Sequence, residues 1–327
     1  MVFFGYFNLR SKPLQEGDVK IVDDFKMITG GVSMKEYQLV SDFRDNLKYK
    51  KSFNELAKKV FALDFQQWYD RGFWSDNYIC YSYLDGNQII ANASVNKMDI
   101  VSNGKEYRAI QVGTVMTHPD YRHQGLAAKL MNHIIKKYEK DCDFIYLFAN
   151  DTVLDFYPKF GFEKVQESSF SLKTCHLKKL TEKATVRKLD INNQGDFALM
   201  KDFAVTRTPV SSILGVKNNE HLLMFYLILV FHDAIYYVEE EDVIIIFEQQ
   251  EHELHIFDII SKKRVDLEIL NCIVCPDIEI INFYFTADFD CPNIETAFIT
   301  NSEDTLFVRP VVNMETKHFL WPLTSHS

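Results

Sequence analysis

Apolar and polar positions alternate along this chain with periods that predict its elements before any chemistry is considered. Leu56, Val60 and Phe61 share one helical face behind Ser52-x-x-Glu55, a capping box whose two side chains satisfy free backbone N–H groups, so a first helix is predicted over Phe53 to Ala62. Residues Tyr78 to Leu84 and Gln88 to Ile100 read as strands joined at Asp85-Gly86-Asn87, and Asn103-Gly104 turns into a further strand from Tyr107 to Thr117. Leu126, Leu130, Ile134 and Tyr138 then recur at helical spacing, predicting a helix from Gly125 to about Lys140 that buries that face on the sheet. Phe144 to Phe148 is a short buried strand.

The polar, basic stretch from Thr174 to Lys183 reads as a linker. After it come a strand at Thr185 to Leu189, a helix near Asp196 to Phe203 and an apolar helix around Leu222. Strands follow at Ala234 to Val238, Val243 to Phe247 and Leu254 to Ile260, then a short helix over Val265 to Cys272 and a strand at Ile278 to Phe285. That order echoes the first half. Residues 1–33 lack sustained periodicity, and the regular pattern begins at Met34. Two readings stay open: an N-terminal arm, or a native start at Met34, preceded by a Gly30-Gly31-Val32 run that a ribosome-binding sequence would encode.

Composition narrows the picture. A chain of 327 residues with 47% hydrophobic and 25% charged residues is a soluble, two-domain globular protein able to bury a core. A net charge of -10 argues against nucleic acid or an anionic membrane as main partner and suits a cationic substrate. The amino end carries no signal-peptide pattern, and the longest apolar run, Leu222 to Phe231, is too short to span a bilayer, so a cytoplasmic location is expected. The six cysteines are scattered like buried hydrophobes, and Cys272-x-x-Cys275 lacks the second pair a zinc site needs, so no metal is expected.

Candidate chemistry sits between Val112 and Ala128. There a β-branched strand ending Val115-Met116-Thr117 is broken by His118-Pro119-Asp120 and leads through Arg122-His123-Gln124-Gly125-Leu126-Ala127-Ala128 into a helix. The first N–H groups of a helix have no internal acceptor and its dipole is positive there, so such a turn binds phosphate. Gly125 and Ala127 let the backbone come close, and Arg122 adds charge. The spacing Arg122-x-x-Gly125-x-Ala127 after that strand resembles the acetyl-CoA signature of the GNAT superfamily of N-acetyltransferases. Downstream, Asn150, Tyr157 and Phe160-Gly161-Phe162 resemble that superfamily's later motif.

The resemblance implies a mixed, mainly antiparallel α+β (α/β) sheet flanked by helices over residues 34–173. Residues 184–327 would form a second, degenerate GNAT-like domain without a cofactor site, since Ser261-Lys-Lys-Arg264 stands where the phosphate turn would be. It further implies that acetyl-CoA is the cosubstrate, that the strand Val115 to Thr117 pairs with its pantetheine arm, and that Asn150 holds the arm or caps a helix. Tyr157 is the candidate general acid, because a phenol stays protonated at neutral pH.

The two-unit plan also resembles the enhanced-intracellular-survival type of aminoglycoside acetyltransferase, in which the chain's own terminal carboxylate acts as base. That implies the same role for Ser327, at the end of the apolar segment Phe319-Leu-Trp-Pro-Leu-Thr-Ser-His-Ser. The aromatic, acidic cluster containing Asp64, Trp68 and Trp74 would wall an amine-bearing acceptor, expected to be a small molecule, or would equally be core. Acetylation of a protein or peptide amine, a non-catalytic CoA-binding module and a homo-oligomer all remain compatible with the sequence.

Overall fold

The structure, a computed structural model, describes residues 36–177, 184–300, 304–312 and 316–327; Met34 and the segment before it lie outside the described residues. The chain runs β1 (Gln38–Ser41), α1 (Leu47–Phe61), α2 (Gln66–Asp70), β2 (Tyr78–Asp85), β3 (Gln88–Ser102), β4 (Lys105–Thr117), α3 (Leu126–Tyr138) and β5 (Phe144–Asn150). Short β6 (Glu163–Val165) and β7 (Ser168–Lys173) lead to β8 (Val186–Lys188), α4 (Gln194–Thr206), β9 (Gly215–Lys217) and α5 (Glu220–Phe225). Then come β10 (Ile235–Val238), β11 (Val243–Gln250), β12 (Glu253–Ser261), β13 (Ile280–Phe283), β14 (Glu295–Phe298) and β15 (Asp304–Arg309).

The first helix starts earlier than its sequence signal. Asn46, not Ser52, is the cap: its side chain accepts from the Lys48 and Tyr49 N–H groups at 3.1 and 3.2 Å. Ser52 lies inside α1, where its hydroxyl accepts from the Ile89 N–H at 2.8 Å and ties the helix to β3. Asn, Asp and Ser are about equally good caps, so the pattern alone favoured the wrong one. Helix α3 begins and ends close to prediction, with Leu130, Met131 and Ile134 fully buried on one face.

The strands form two sheets, ordered β1-β2-β3-β4-β5-β15-β6, with β9 on β3, and β14-β7-β13-β12-β11-β10-β8. Each has an antiparallel meander followed by one parallel step, β4 to β5 in the first and β12 to β13 in the second. In each, the strand beyond that step comes from the other half of the chain. β15 lies between β5 and β6, and β7 lies between β13 and β14. The two halves thus repeat one plan and exchange a strand, so the sheets do not divide at residues 174–183. β14 is exposed at every position and carries no alternation, which hid it from a pattern reading.

One face of the first sheet packs on α3, through Ile90, Val95, Leu130 and Ile134. The opposite face shares a core with α1, α5, the inner face of the second sheet and Trp321. Into that shared core runs the C-terminal segment. It is fixed by a buried fork, in which Arg207 donates to both oxygens of Asp258 at 2.7 and 2.8 Å, while the Thr324 hydroxyl donates to Asp258. The Arg207 and Asp258 side chains are 7% and 1% exposed, so either charge left alone would be stranded out of water.

Asp258→Ala is expected to lower unfolding free energy by about 3–5 kcal/mol, because it leaves a buried guanidinium unpaired. Thr324→Val should cost only about 1 kcal/mol. Urea unfolding of both variants checks the order; equal small losses would show that the fork contributes nothing special.

Candidate functional site

The site begins with a fault in the first sheet. Opposite Asn92 and Ser94 the register of β4 shifts, and Thr114 takes a left-handed φ of 49°, which a β-branched residue rarely adopts. Its conformation is held from two sides: the Thr114 hydroxyl bonds the Tyr78 hydroxyl at 3.0 Å, and its carbonyl accepts from the Asn92 amide at 2.9 Å. Before this bulge, β4 and β5 are hydrogen-bonded, from Ala109 with Phe144 to Gln111 with Tyr146. Beyond it they are not.

Between the parted strands lies a cleft of about 190 Å³, lined by Val115, Met116 and Thr117 from β4, Ala127 from α3, Phe148 to Asn150 from β5, and Tyr157. A cleft with an unpaired strand edge on one wall suits an extended, amide-bearing arm, which completes the missing ladder.

The expected phosphate turn stands beside that cleft. Residues Arg122 to Gly125 are exposed, His123 and Gly125 have φ of 62° and 71°, and a Cβ placed on Gly125 would meet nothing within 4 Å. The Lys129 N–H is the first to reach back, to the Gly125 carbonyl at 3.0 Å, so the amides before it are free for an anion. Gln124 is held by the Tyr37 hydroxyl at 3.0 Å. Leu126 is buried, so it offers only its backbone, and Ala127 and Ala128 are small enough to let a ligand approach. These features fit a diphosphate, with Arg122 beside it.

Tyr157 opens a short 3-10 turn that Gly161 ends at φ 78°. Its ring packs edge-on against Phe156 at 5.1 Å and against Phe307 of β15 at 5.9 Å, so the exchanged strand supports it. Burial pushes its phenol far above the ordinary range, and it stays protonated. The Asn150 side chain accepts from the Thr152 N–H and hydroxyl at 3.1 and 2.6 Å, which makes it a cap as well as a cleft residue.

A second, partly open cavity of about 30 Å³ is lined by Thr114 of the bulge itself. Its walls are aromatic and aliphatic, with Trp68 and Phe225 among them, and its polar groups come from Tyr78, Asn96, Thr114, His221 and Ser327. Of the three residues expected at the acceptor, the structure brings only Trp68 here. Asp64 instead accepts from Asn54 and the Gln66 N–H at 2.8 and 2.9 Å and pairs with Lys58 at 2.7 Å, stitching α1 to α2. Trp74 stands behind Trp68, with ring centroids 6.1 Å apart, and donates to the Tyr78 carbonyl at 3.1 Å.

Ser327 lines this second cavity. A Cβ on Gly113 would lie 2.8 Å from its carbonyl carbon, so only glycine admits it there. Asn96 donates to its hydroxyl at 2.7 Å, Gln111 donates to the Ser325 carbonyl at 3.0 Å, and Tyr226 donates to the His326 carbonyl at 3.1 Å. The His326 ring stacks on Phe148, a wall of the cleft, at 3.6 Å.

Sequence reasoning passed over Asn96, Thr114, Tyr226 and His221. One signal was present: Asn92, Ser94 and Asn96 alternate along β3 and are all fully buried, a polar stripe on a strand whose other face is apolar. Nothing local marks His221, which enters from α5 in the other half. Among the described residues there is no group of three or more His, Cys, Asp or Glu placed to hold a metal, and Cys272 and Cys275 are free thiols. No described helix is long and apolar enough to cross a membrane.

Comparison with known proteins agrees with this geometry. Residues 45–165 match the family model described as acetyltransferase (GNAT) domain. The chain is 34% identical over 85 residues to N-alpha-acetyltransferase 50 of Danio rerio, a match covering 24% of this chain and 49% of that one, so it spans about half the length of that curated relative. A conserved Enterococcus faecalis protein of unknown function, described as a probable N-acyltransferase, superposes with TM-score 0.57 at 14% identity over 84% of this chain and 72% of its own. A GCN5-related N-acetyltransferase from Kribbella flavida gives TM-score 0.53 at 15% identity, covering 84% and 70%. The fold is therefore shared across both halves.

Burial lowers the His221 pKa to about 4 and that of His326 well below its ordinary value, so both are neutral in the folded protein. The unfolded chain takes up these protons first as pH falls below about 6.5, so their contribution is present above that pH and is lost on acidification. His221→Phe is expected to remove about 2 kcal/mol of the stability difference between pH 7 and pH 5. Urea unfolding at both pH values reads it, and an unchanged difference would refute the assignment.

Proposed function

We propose that the chain, which carries a GNAT acetyltransferase domain over residues 45–165, transfers an acetyl group from acetyl-CoA to a primary amine by direct attack. The observation that carries this reading is the cleft between the parted strands β4 and β5, with free helix amides beside it and Tyr157 in its wall. In this reading the diphosphate of the donor rests on the amides from Gly125 to Ala128 beside Arg122. Each charge-assisted bond there contributes about 1.5–3 kcal/mol. The pantetheine arm pairs with Val115 to Thr117, and the thioester lies near the bulge.

The acceptor nitrogen approaches from the second cavity, which Thr114 lines. The N–C bond forms as the C–S bond breaks, and Tyr157 gives its proton to the departing sulfur. The nitrogen must shed a proton. The Ser327 carboxylate borders the acceptor cavity, and His326 next to it stacks on a wall of the donor cleft, which supports that carboxylate as the base. Holding donor and acceptor against one bulge supplies the proximity that a two-substrate reaction requires.

Tyr157→Phe is expected to lower kcat by about 10²–10⁴-fold while leaving acetyl-CoA affinity unchanged. Unaltered CoA release from an amine panel would remove Tyr157 from the mechanism. Extending the chain past Ser327 should abolish turnover with donor binding intact, and an active extended protein would exclude the carboxylate as base. Acetyl-CoA binding by wild type without acetylation of any amine would favour a non-catalytic module instead.

A further inference from the structure

The walls of this second cavity say more than that it takes an amine. Among its lining side chains there is no Asp, Glu, Lys or Arg; the flat walls are Phe65, Trp68 and Phe225, and its histidine is neutral. The one charge at its border is the Ser327 carboxylate, which the reacting amine engages. A second positive charge on an acceptor would thus be stripped of water there with no further group to pair it, which costs several-fold more than one apolar contact returns. The free volume, about 30 Å³, holds about one or two water-sized groups. That is the size of an amine and the carbon bearing it, so the rest of the acceptor's stem lies toward the open side of the cavity.

One residue that lines the cavity, His221, carries a polar atom without a partner. His221 is 1% exposed, and its Nε2 faces the Asn96 carbonyl oxygen at 2.9 Å, so Nε2 carries the proton and donates. The Asn96 amide nitrogen is engaged by Ser327 at 2.7 Å, which fixes that amide's orientation and hence the tautomer. The backbone carbonyl of His221 is taken by the Trp68 indole at 2.7 Å. What remains is Nδ1, a lone pair buried with no partner among the described residues. A buried acceptor of this kind is costly unless a ligand's N–H fills it.

We propose that this cavity is the acceptor site for a small monoamine on an apolar or aromatic stem, whose nitrogen donates a hydrogen bond to Nδ1 of His221. This rests on the acetyl-transfer reading above and narrows it to one substrate class. His221 is here a residue that touches substrate, contributed by the half of the chain that lacks the donor site. Its neutral lone pair favours the neutral, nucleophilic amine as well as orienting it. A peptide amino terminus fits less well, because its following amide brings polar groups that the aromatic walls leave unpaired.

The test measures CoA release by the full chain with 2-phenylethylamine, spermidine and a Met-initiated tetrapeptide, with acetyl-CoA binding followed in parallel. The expected order places 2-phenylethylamine at least about tenfold above the other two in kcat/KM. His221→Phe, which keeps an aromatic ring and removes Nδ1 together with the Nε2–H bond to Asn96, should raise the KM for that amine about tenfold with the KM for acetyl-CoA unchanged. Should the variant not fold, the wild-type order alone decides. Preference for spermidine or for the peptide overturns this inference and leaves acetyl transfer standing. An unchanged amine KM in folded His221→Phe removes the Nδ1 contact and with it the proposal. Failure to acetylate any amine despite acetyl-CoA binding overturns both readings together.

Discussion

The buried fork of Arg207 on Asp258 is the constraint from which the arrangement around the bulge follows. It costs solvation for two ions and returns it only through near-ideal geometry, and a third group, the Thr324 hydroxyl, shares the carboxylate. Because Arg207 follows α4 and Asp258 lies in β12, the second half of the chain grips the C-terminal segment. From that grip, Trp321 stacks on Tyr146 at 4.4 Å, His326 on Phe148 at 3.6 Å, and Ser327 meets Gly113. The half without a phosphate turn thus positions groups at the site of the half that has one.

The bulge at Thr114 divides labour in the same way. On one side an unpaired strand edge and free helix amides offer backbone hydrogen bonds, indifferent to side chains and suited to a fixed, amide-rich donor. On the other side the recognition is by aromatic walls and a few polar atoms, and so by side-chain identity. In the proposed reading, donor binding and acceptor choice are carried by different chemistry, and the two sides are joined through Tyr78, which holds Thr114, and through His326, which stacks on Phe148.

The donor cleft was legible in the sequence because it depends on local geometry. Gly125, Ala127 and the β-branched strand before them are adjacent in the chain, and the turn they predict is the turn that forms. Tyr157 and Asn150 were singled out by the resemblance of their segment to a known motif, and the structure places both in the wall of that cleft. The acceptor side was not, because His221 reaches Asn96, and Ser327 reaches Gly113, across separations that no period encodes. Asp64 looked like part of a cation wall only while its neighbours in space were unknown; its partners Asn54 and Lys58 make it a joint between helices. In the second half the elements from Thr185 to Phe285 were predicted in order except β9, while β14 and β15 were not predicted. Its strand exchange was invisible because β7 and β15 have nothing in their own residues to say which sheet they join.

That exchange has a consequence for how the chain is made. β5 ends at Asn150, but its neighbour β15 begins only at Asp304, and it supplies both the ladder on that edge and Phe307 beneath Tyr157. At ordinary rates of synthesis the ribosome needs on the order of ten seconds to cover that interval. For that time the first sheet carries an open, apolar edge, the kind that recruits other chains. Neither sheet has all its strands until that interval has been made, since β14 of the second and β15 of the first both lie near its end.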